Sequence, residues 1–317
     1  MVSTPGLNRT RIAVLAASIA AAWVLQGGAQ QRLKTGIDVV NFSVILTDKQ
    51  GAPITGLKPE DFEVIEEGKA QTISYFSEGD PEDSDHLGDA MPLHLGLTLD
   101  TSGSMERDIN DVRTAVIKFL NANSTAIDFT LVDFDTEVRV ARYGADEIER
   151  LIERIRRRRP DGWTALFDAI GVYLNGAGPQ DGHKIMLLYT DGGDTRSELT
   201  FSDTLSLLKS SDVTLYAIGY LENQSSSARA QQQQQLQRMA AITGGQAFFP
   251  TSVKELDKIY EKIQREIAAR YSIGFTSTDS RKDGAWRNVQ IKLKRADLKG
   301  AKLRARTGYF APYKPGG

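Results

Sequence analysis

Between Met91 and Ala269 the sequence alternates apolar runs with amphipathic segments, and this alternation limits the possible folds more than any other feature. Runs such as "LHLGLTL", "FTLVDF", "KIMLLYT" and "VTLYAIGY" are apolar nearly throughout, as in strands that are buried on both faces. The segments between them have the spacing of helices with one apolar face. Buried strands separated by amphipathic helices indicate an α/β fold with a doubly wound, mostly parallel sheet.

Two shorter β segments flank this region. The first covers 36–85, turns at Glu67 and Gly68, and ends in the acidic linker "EGDPEDSD". The second covers 270–313 and is basic. Neither has enough strands to be stable alone. We therefore expect them to form one small all-β sandwich, into which the α/β domain of 91–269 is inserted.

The N-terminus has the pattern of an export signal. Arg9 and Arg11 precede the apolar run from Ile12 to Leu25, and small residues follow up to Ala29, where cleavage is expected. The run is shorter than the roughly 20 apolar residues that span a bilayer. Residues 1–29 are therefore predicted to be a signal peptide; an uncleaved anchor is the alternative, and membrane association is expected only in that case.

The composition limits which cellular compartment and which kinds of partner fit this chain. The chain has no cysteine, so an exported protein of this kind fits a bacterial periplasm, a bacterial cell surface or the bacterial medium. Its formal net charge of -2 gives no general attraction to nucleic acid, and we predict no nucleic-acid partner. The three histidines, His86, His94 and His183, are scattered and have no metal-spaced neighbours. No GxxxxGK phosphate loop is present.

Oxygen-bearing residues lie in three loops, two that follow apolar runs and one at the start of a predicted helix. Asp100, Ser102 and Ser104 lie in "LDTSGS", Thr164 in "GWTALFDA", and Asp191 in "YTDGGD". Open parallel sheets bind ligands at the carboxyl ends of their strands, so we expect these loops to line one crevice. Hard oxygen donors suit Mg²⁺, Mn²⁺ or Ca²⁺ and are poor ligands for zinc or copper. Alternate side chains of the first loop can turn toward one point, with Gly103 expected to relieve crowding there.

Each of these residues also has a simpler interpretation. The serines and Thr164 could cap helices, and "TDGGD" could be only a turn. Turn or surface roles are predicted for Asp133, Asp135 and Asp194, in preference to hydrogen bonding with metal ligands. The arginine-rich "RIRRRRP", 154–160, is predicted to be a solvated helix end, with a polyanion-binding patch as the alternative.

In order and context, "DTSGS", the threonine of "GWTALFDA" and the aspartate of "YTDGGD" resemble the metal-ion-dependent adhesion site of von Willebrand factor type A domains. The likeness covers about Pro92 to Ala269, and the whole layout is similar to bacterial exported proteins called VWFA-related. The resemblance implies that Ser102, Ser104 and Thr164 touch the metal, with Asp100 and Asp191 bound directly or through water.

The same resemblance implies a function. The protein would be a non-enzymatic binding protein that captures a protein ligand, which offers a carboxylate to the metal. Two alternatives stay open at this point. One is an envelope structural or scaffold protein whose metal only stabilises the fold; the other is a metal-dependent hydrolase.

Overall fold

The computed structural model describes residues 39–79, 91–123, 125–191, 193–222 and 224–313. The predicted signal peptide and most of the acidic linker lie outside the described residues.

The first β segment forms four strands. These are β1 (Val39–Thr47), β2 (Phe62–Glu66), β3 (Lys69–Gln71) and β4 (Ile73–Glu78). The predicted tight turn joins β2 to β3, and both of its residues have positive φ, 46° at Glu67 and 80° at Gly68. Such a turn matches the right-handed twist of a two-stranded hairpin.

The central region alternates strands and helices, as the sequence predicts. Its strands are β5 (Leu93–Asp100), β6 (Asp128–Phe134), β7 (Val138–Gly144), β8 (His183–Thr190), β9 (Val213–Gly219) and β10 (Gln246–Phe248). Its helices are α1 (Ile109–Ala122), α2 (Ile148–Arg157), α3 (Leu166–Ala177), α4 (Phe201–Ser210), α5 (Ser226–Ile242) and α6 (Val253–Ala268).

The six strands form one sheet in the order β10-β9-β8-β5-β6-β7. All neighbours are parallel except β7, which runs antiparallel to β6 at one edge. One apolar core packs α1, α2 and α6 on one face of the sheet, and a second core packs α3, α4 and α5 on the other. Burial of both faces explains why the central strands are apolar throughout.

The last β segment supplies β11 (Tyr271–Thr276), β12 (Trp286–Leu293), β13 (Lys302–Arg304) and β14 (Gly308–Phe310). It interleaves with the first segment in two antiparallel sheets, ordered β13-β1-β11-β4 and β14-β12-β2-β3. Phe42, Phe62, Tyr271 and Ile291 lie in the core between these sheets. The predicted fold class is therefore confirmed, whereas the exact domain limits stay a prediction.

We find no helix in the described ranges that is both long and apolar enough to cross a membrane.

Candidate metal centre

The candidate centre lies where the strand order of the large sheet reverses. From β5 the chain continues to β6 on one side, and the later strands β8 and β9 lie on the other side. All eight residues of β5 are buried, and the strand ends at Asp100. In open α/β sheets a crevice forms at this switch point, above the carboxyl ends of the strands.

Asp100 is held by hydrogen bonds from two elements. Its Oδ1 accepts from the backbone amide of Ser102 at 2.9 Å. Its Oδ2 accepts from the hydroxyl of Thr190, the last residue of β8, at 2.7 Å. The side chain is fully buried. Both carboxylate oxygens are thus oriented by the protein itself.

The two serines connect Asp100 to Asp191. The hydroxyls of Ser102 and Ser104 are 3.1 Å apart, and the Ser104 hydroxyl hydrogen-bonds the carboxylate of Asp191. Ser102 and Asp191 are buried, whereas Ser104 is exposed at the mouth of the crevice. The structure therefore joins four of the five predicted site residues in one hydrogen-bonded network.

Thr164 reaches the same edge of the sheet through its loop. The amide of Gly103 donates to the carbonyl oxygen of Gly162 at 3.1 Å, which ties the two loops together. Thr164 itself is buried, and its amide donates to the hydroxyl of Thr195 at 3.0 Å. The loop between α2 and α3, which carries Thr164, is thus joined to the serine loop after β5.

The loop geometry depends on one glycine, Gly162, that no sequence pattern singled out. Gly162 has φ 73°, a conformation that residues with a side chain rarely adopt, and a Cβ there would lie 2.4 Å from Oγ1 of Thr136, which would have to move. The predicted steric need for Gly103 is wrong, because a Cβ at that position would meet the carbonyl oxygen and the amide nitrogen of Gly162 at the ordinary distances of 3.5 and 3.9 Å.

The hydroxyls are not used in helix capping. Ser102 precedes the 3₁₀ turn Gly103–Arg107 but makes no side-chain cap hydrogen bond. The N-cap position of α3 belongs to Ala165, so Thr164 is one residue too early to fill it. The capping interpretation therefore leaves these hydroxyls unexplained.

The electrostatics of the crevice favour a cation. Burial, and then the charge of Asp191, raise the pKa of Asp100 to about 7. Burial also raises the pKa of Asp191. In the part of the chain that the structure describes, no lysine, arginine or histidine forms an ion pair with either carboxylate. Two buried carboxylates without a basic partner are costly unless another positive charge offsets them.

The donor set fits a hard divalent ion. Within the described ranges, no group of three His, Cys, Asp or Glu side chains converges. Two carboxylates and three hydroxyls match the all-oxygen ligands of Mg²⁺, Mn²⁺ or Ca²⁺.

Asp133 and Asp135 form a neighbouring ion cluster that sequence reasoning missed. The surface role predicted for them is wrong: both are buried, and three arginines hold them. Arg154 Nη2 lies 2.7 Å from Asp133, and Arg158 Nη2 lies 2.6 Å from Asp135. Arg139 also contacts Asp135 at 2.7 Å. The turn role does apply to Asp135, whose Oδ1 accepts from the Glu137 amide, and to Asp194, which accepts from Ser197.

The described histidines lie away from this centre. His94 is buried beside Asp128, 3.0 Å from its carboxylate. His183 Nε2 lies 2.7 Å from the hydroxyl of Ser272, which is itself buried. His86 lies outside the described residues.

A doubly wound sheet with carboxylates and hydroxyls gathered at its switch point defines a Rossmann-like α/β domain. The family model of the von Willebrand factor type A domain matches residues 95–262, more than half of the chain, and the chain belongs to this family. None of the curated proteins compared with the sequence matches it.

Several solved structures are similar to this chain at low identity. The PilB minor pilin from Streptococcus sanguinis has a TM-score of 0.47 and 14% identity, over 72% of this chain and 87% of that chain. A von Willebrand factor type A protein from Catenulispora acidiphila has a TM-score of 0.45 and 14% identity, over 72% of this chain and 67% of that chain. The pilus adhesin SpaC from Lactobacillus rhamnosus GG, in its open conformation, has a TM-score of 0.47 and 12% identity, over 82% of this chain and 49% of that chain. This chain spans 63% of a variant of the same pilin, just under two thirds of its length. The family assignment rests on the family model alone.

Proposed function

We propose that this protein is an exported binding protein that captures a protein partner through a divalent ion held in the crevice above β5. Ser102, Ser104 and Thr164 would hold the ion, with Asp100 and Asp191 supplying the negative charge. Mg²⁺ is the expected ion, and Mn²⁺ and Ca²⁺ are the alternatives.

One observation carries the proposal: the buried pair Asp100 and Asp191 lies at the switch point of the sheet with no basic partner among the described residues. A purely structural role for two buried carboxylates would favour an arginine or lysine beside them. Asp133 and Asp135 have that arrangement only a strand away, with three arginines around them.

The bound ion supplies a positive, partly open coordination position that a carboxylate of the partner can occupy. The chain's own residues prepare that position. Thr190 and the Ser102 amide fix the Asp100 carboxylate. Ser104 is exposed at the mouth, so the hydroxyl that links to Asp191 also faces the incoming ligand.

Two other functions would use the same residues differently. In a structural protein the ion would stabilise the fold without any partner. In a hydrolase a general base would have to lie beside the ion. The two described histidines instead lie near the start of β5 and β8, at the opposite end of those strands from Asp100. We therefore favour binding.

The test is capture from a bacterial envelope extract on immobilised protein. Wild type should retain a partner in Mg²⁺ and release it in EDTA, and Asp100→Ala should retain none. Asp297→Ala, an exposed residue of the sandwich, is the matched control and should behave as wild type. The purified partner should then lose binding when one of its own surface carboxylates is replaced by an amide. Capture that EDTA leaves unchanged contradicts the proposal.

Export is the second part of the proposal, and it rests on the arginines and the short apolar run before Ala29. N-terminal sequencing of protein recovered from the envelope tests it. A new terminus near Ala29 is expected, whereas an intact Met1 in the membrane fraction would favour the anchor.

A further inference from the structure

A cleft between α1 and α2 carries an unbalanced positive charge. Its volume is about 440 Å³, and its lining residues are Asn110, Arg113, Thr114, Ile117, Lys118 and Arg156. Three of these six side chains are cations and none is a carboxylate. Of the three cations, Lys118 has an ion-pair partner, since its Nζ lies 2.8 Å from Asp257 of α6. The three cations and the Asp257 carboxylate together give the cleft a net charge of +2.

Arg113 is the least satisfied group of this cleft. Its Nε and Nη2 atoms are shielded from water and have no hydrogen-bond partner. Its Nη1 has one long contact, 3.5 Å to Oδ1 of Asn110. Burial lowers the pKa of Arg113, and no carboxylate nearby opposes that shift. Nε and Nη2 form one edge of the guanidinium, and this edge is the one that binds an oxyanion through two parallel hydrogen bonds.

Arg156 has no acidic partner, unlike most of the arginines around it. Arg154, Arg157 and Arg158 each form an ion pair, with Asp133, Glu153 and Asp135 respectively. Arg156, on α2, and Arg159, just beyond it, form no ion pair with any described residue. Arg156 projects instead into the cleft that Arg113 lines. Arg156 therefore brings to the cleft a positive charge that no described carboxylate offsets.

We infer that this cleft binds a phosphate or sulfate group, separately from the metal centre. A doubly charged oxyanion matches the net charge of two, whereas one carboxylate would leave a cation uncompensated. Its oxygens can accept from Arg113, Arg156 and Lys118 together. The Arg113 side chain can rotate to bring its unpartnered edge to such an ion. This rotation breaks no short hydrogen bond, and it allows two new hydrogen bonds to the ion to form.

The experiment measures binding of inorganic phosphate to the full chain by titration calorimetry and amide chemical shifts. EDTA is present throughout, so no metal ion can carry the phosphate. We expect saturable binding, with shifts at the amides of Asn110, Arg113 and Arg156. Arg113→Gln and Arg156→Gln should each weaken it about tenfold, because each removes charge-assisted hydrogen bonds. Arg265→Gln, an exposed arginine of α6, is the matched control and should bind as wild type.

Two sources of the phosphate group can be separated with vesicles. If the natural ligand is a lipid headgroup, phosphatidylglycerol vesicles should sediment wild type and Arg265→Gln but neither cleft variant, and phosphatidylcholine vesicles should sediment none. If it is a free ion, phosphate alone should bind. Circular dichroism establishes that each variant is folded. The inference is overturned if neither phosphate nor vesicles bind, or if the control loses as much binding as the cleft variants.

Discussion

The hydroxyl of Thr190 donates a 2.7 Å hydrogen bond to Oδ2 of Asp100, across the boundary between the neighbouring strands β8 and β5. The two residues end their strands at the same level of the sheet. Together with the Ser102 amide on Oδ1, this bond fixes the carboxylate before any ligand arrives. The end of β8 and the loop after β5 therefore position the most buried acid of the candidate centre together.

Removing this hydroxyl tests that role. Thr190→Val keeps the shape of the side chain but leaves Oδ2 of Asp100 without its donor. We expect Mg²⁺ affinity to fall about 10- to 100-fold, the usual effect of losing a group that orients a metal ligand. Titration calorimetry measures it. Thr214→Val, at the far end of β9, is the matched control. Equal affinities for wild type and Thr190→Val would show that the bond does not orient the ligand.

His183 gives the fold a dependence on pH. Burial, and then the charge of Arg270, lower the pKa of His183 from 6.5 to about 2. The unfolded chain binds a proton below pH 6.5 and the folded chain does not, so stability is lost as the pH falls through this range. Between pH 7 and pH 5 this one residue should cost about 2 kcal/mol.

The measurement is urea denaturation of wild type and His183→Gln at both pH values. On acidification from pH 7 to pH 5, the free energy of unfolding of the variant should fall by about 2 kcal/mol less than that of wild type. A pH dependence identical in the two proteins would mean that His183 titrates normally in the folded state.

An ion pair joins the last helix to the sandwich. Glu266 of α6 is fully buried, and its Oε2 lies 2.6 Å from Nη2 of Arg304 on β13. The hydroxyl of Tyr216 also donates to this oxygen, at 3.0 Å. Arg304→Met would leave a buried carboxylate without its closest cation, which typically destabilises a protein by about 3–5 kcal/mol.

Denaturation of Arg304→Met checks this expectation, and Arg295→Met, an exposed arginine, serves as its control. Restoration of stability in the double variant Arg304→Met with Glu266→Met would assign the loss to the unpaired charge. A loss of unfolding free energy below about 1 kcal/mol in Arg304→Met would be in the range of surface ion pairs. It would mean that the Glu266 carboxylate is in contact with water.

The two flanking β segments should fold only together. β1 pairs with β11 and β13, and β2 pairs with β12. Truncation after Ala269 removes all three partners, so amides of β1 and β2 should lose protection from hydrogen exchange while those of β5 and β8 keep it. Retained protection in β1 would show that the first segment is stable without the second.

The sequence pattern was sufficient to predict the architecture, because strands that are buried on both faces of a sheet are apolar along their whole length. Each run predicted as a buried strand, such as Leu93–Asp100, is one. The flanking strands were also recognisable, since β12 alternates buried and exposed residues over its length. Their pairing across the inserted domain followed from the fact that neither half can form a sheet core alone.

The candidate centre was only partly predictable. Asp100, Ser102, Ser104 and Asp191 are visible because they interrupt apolar runs, and the structure does bring them together. Thr190 was missed because a threonine at the end of a strand is ordinary. Its one signal is its position directly before Asp191. The arginines around Asp133 and Asp135 lie 4 to 23 residues away in sequence, and no local pattern connects such distant charges.

The central claim is that Asp100 and Asp191 hold a divalent ion, and calorimetric titration of the purified protein with Mg²⁺ tests it most directly. The account predicts one ion bound per chain by wild type and by the control Asp297→Ala, and no measurable binding by Asp100→Ala or Asp191→Ala, with all four proteins folded by circular dichroism. Unchanged Mg²⁺ affinity in both Asp100→Ala and Asp191→Ala, or no binding by wild type, would contradict it.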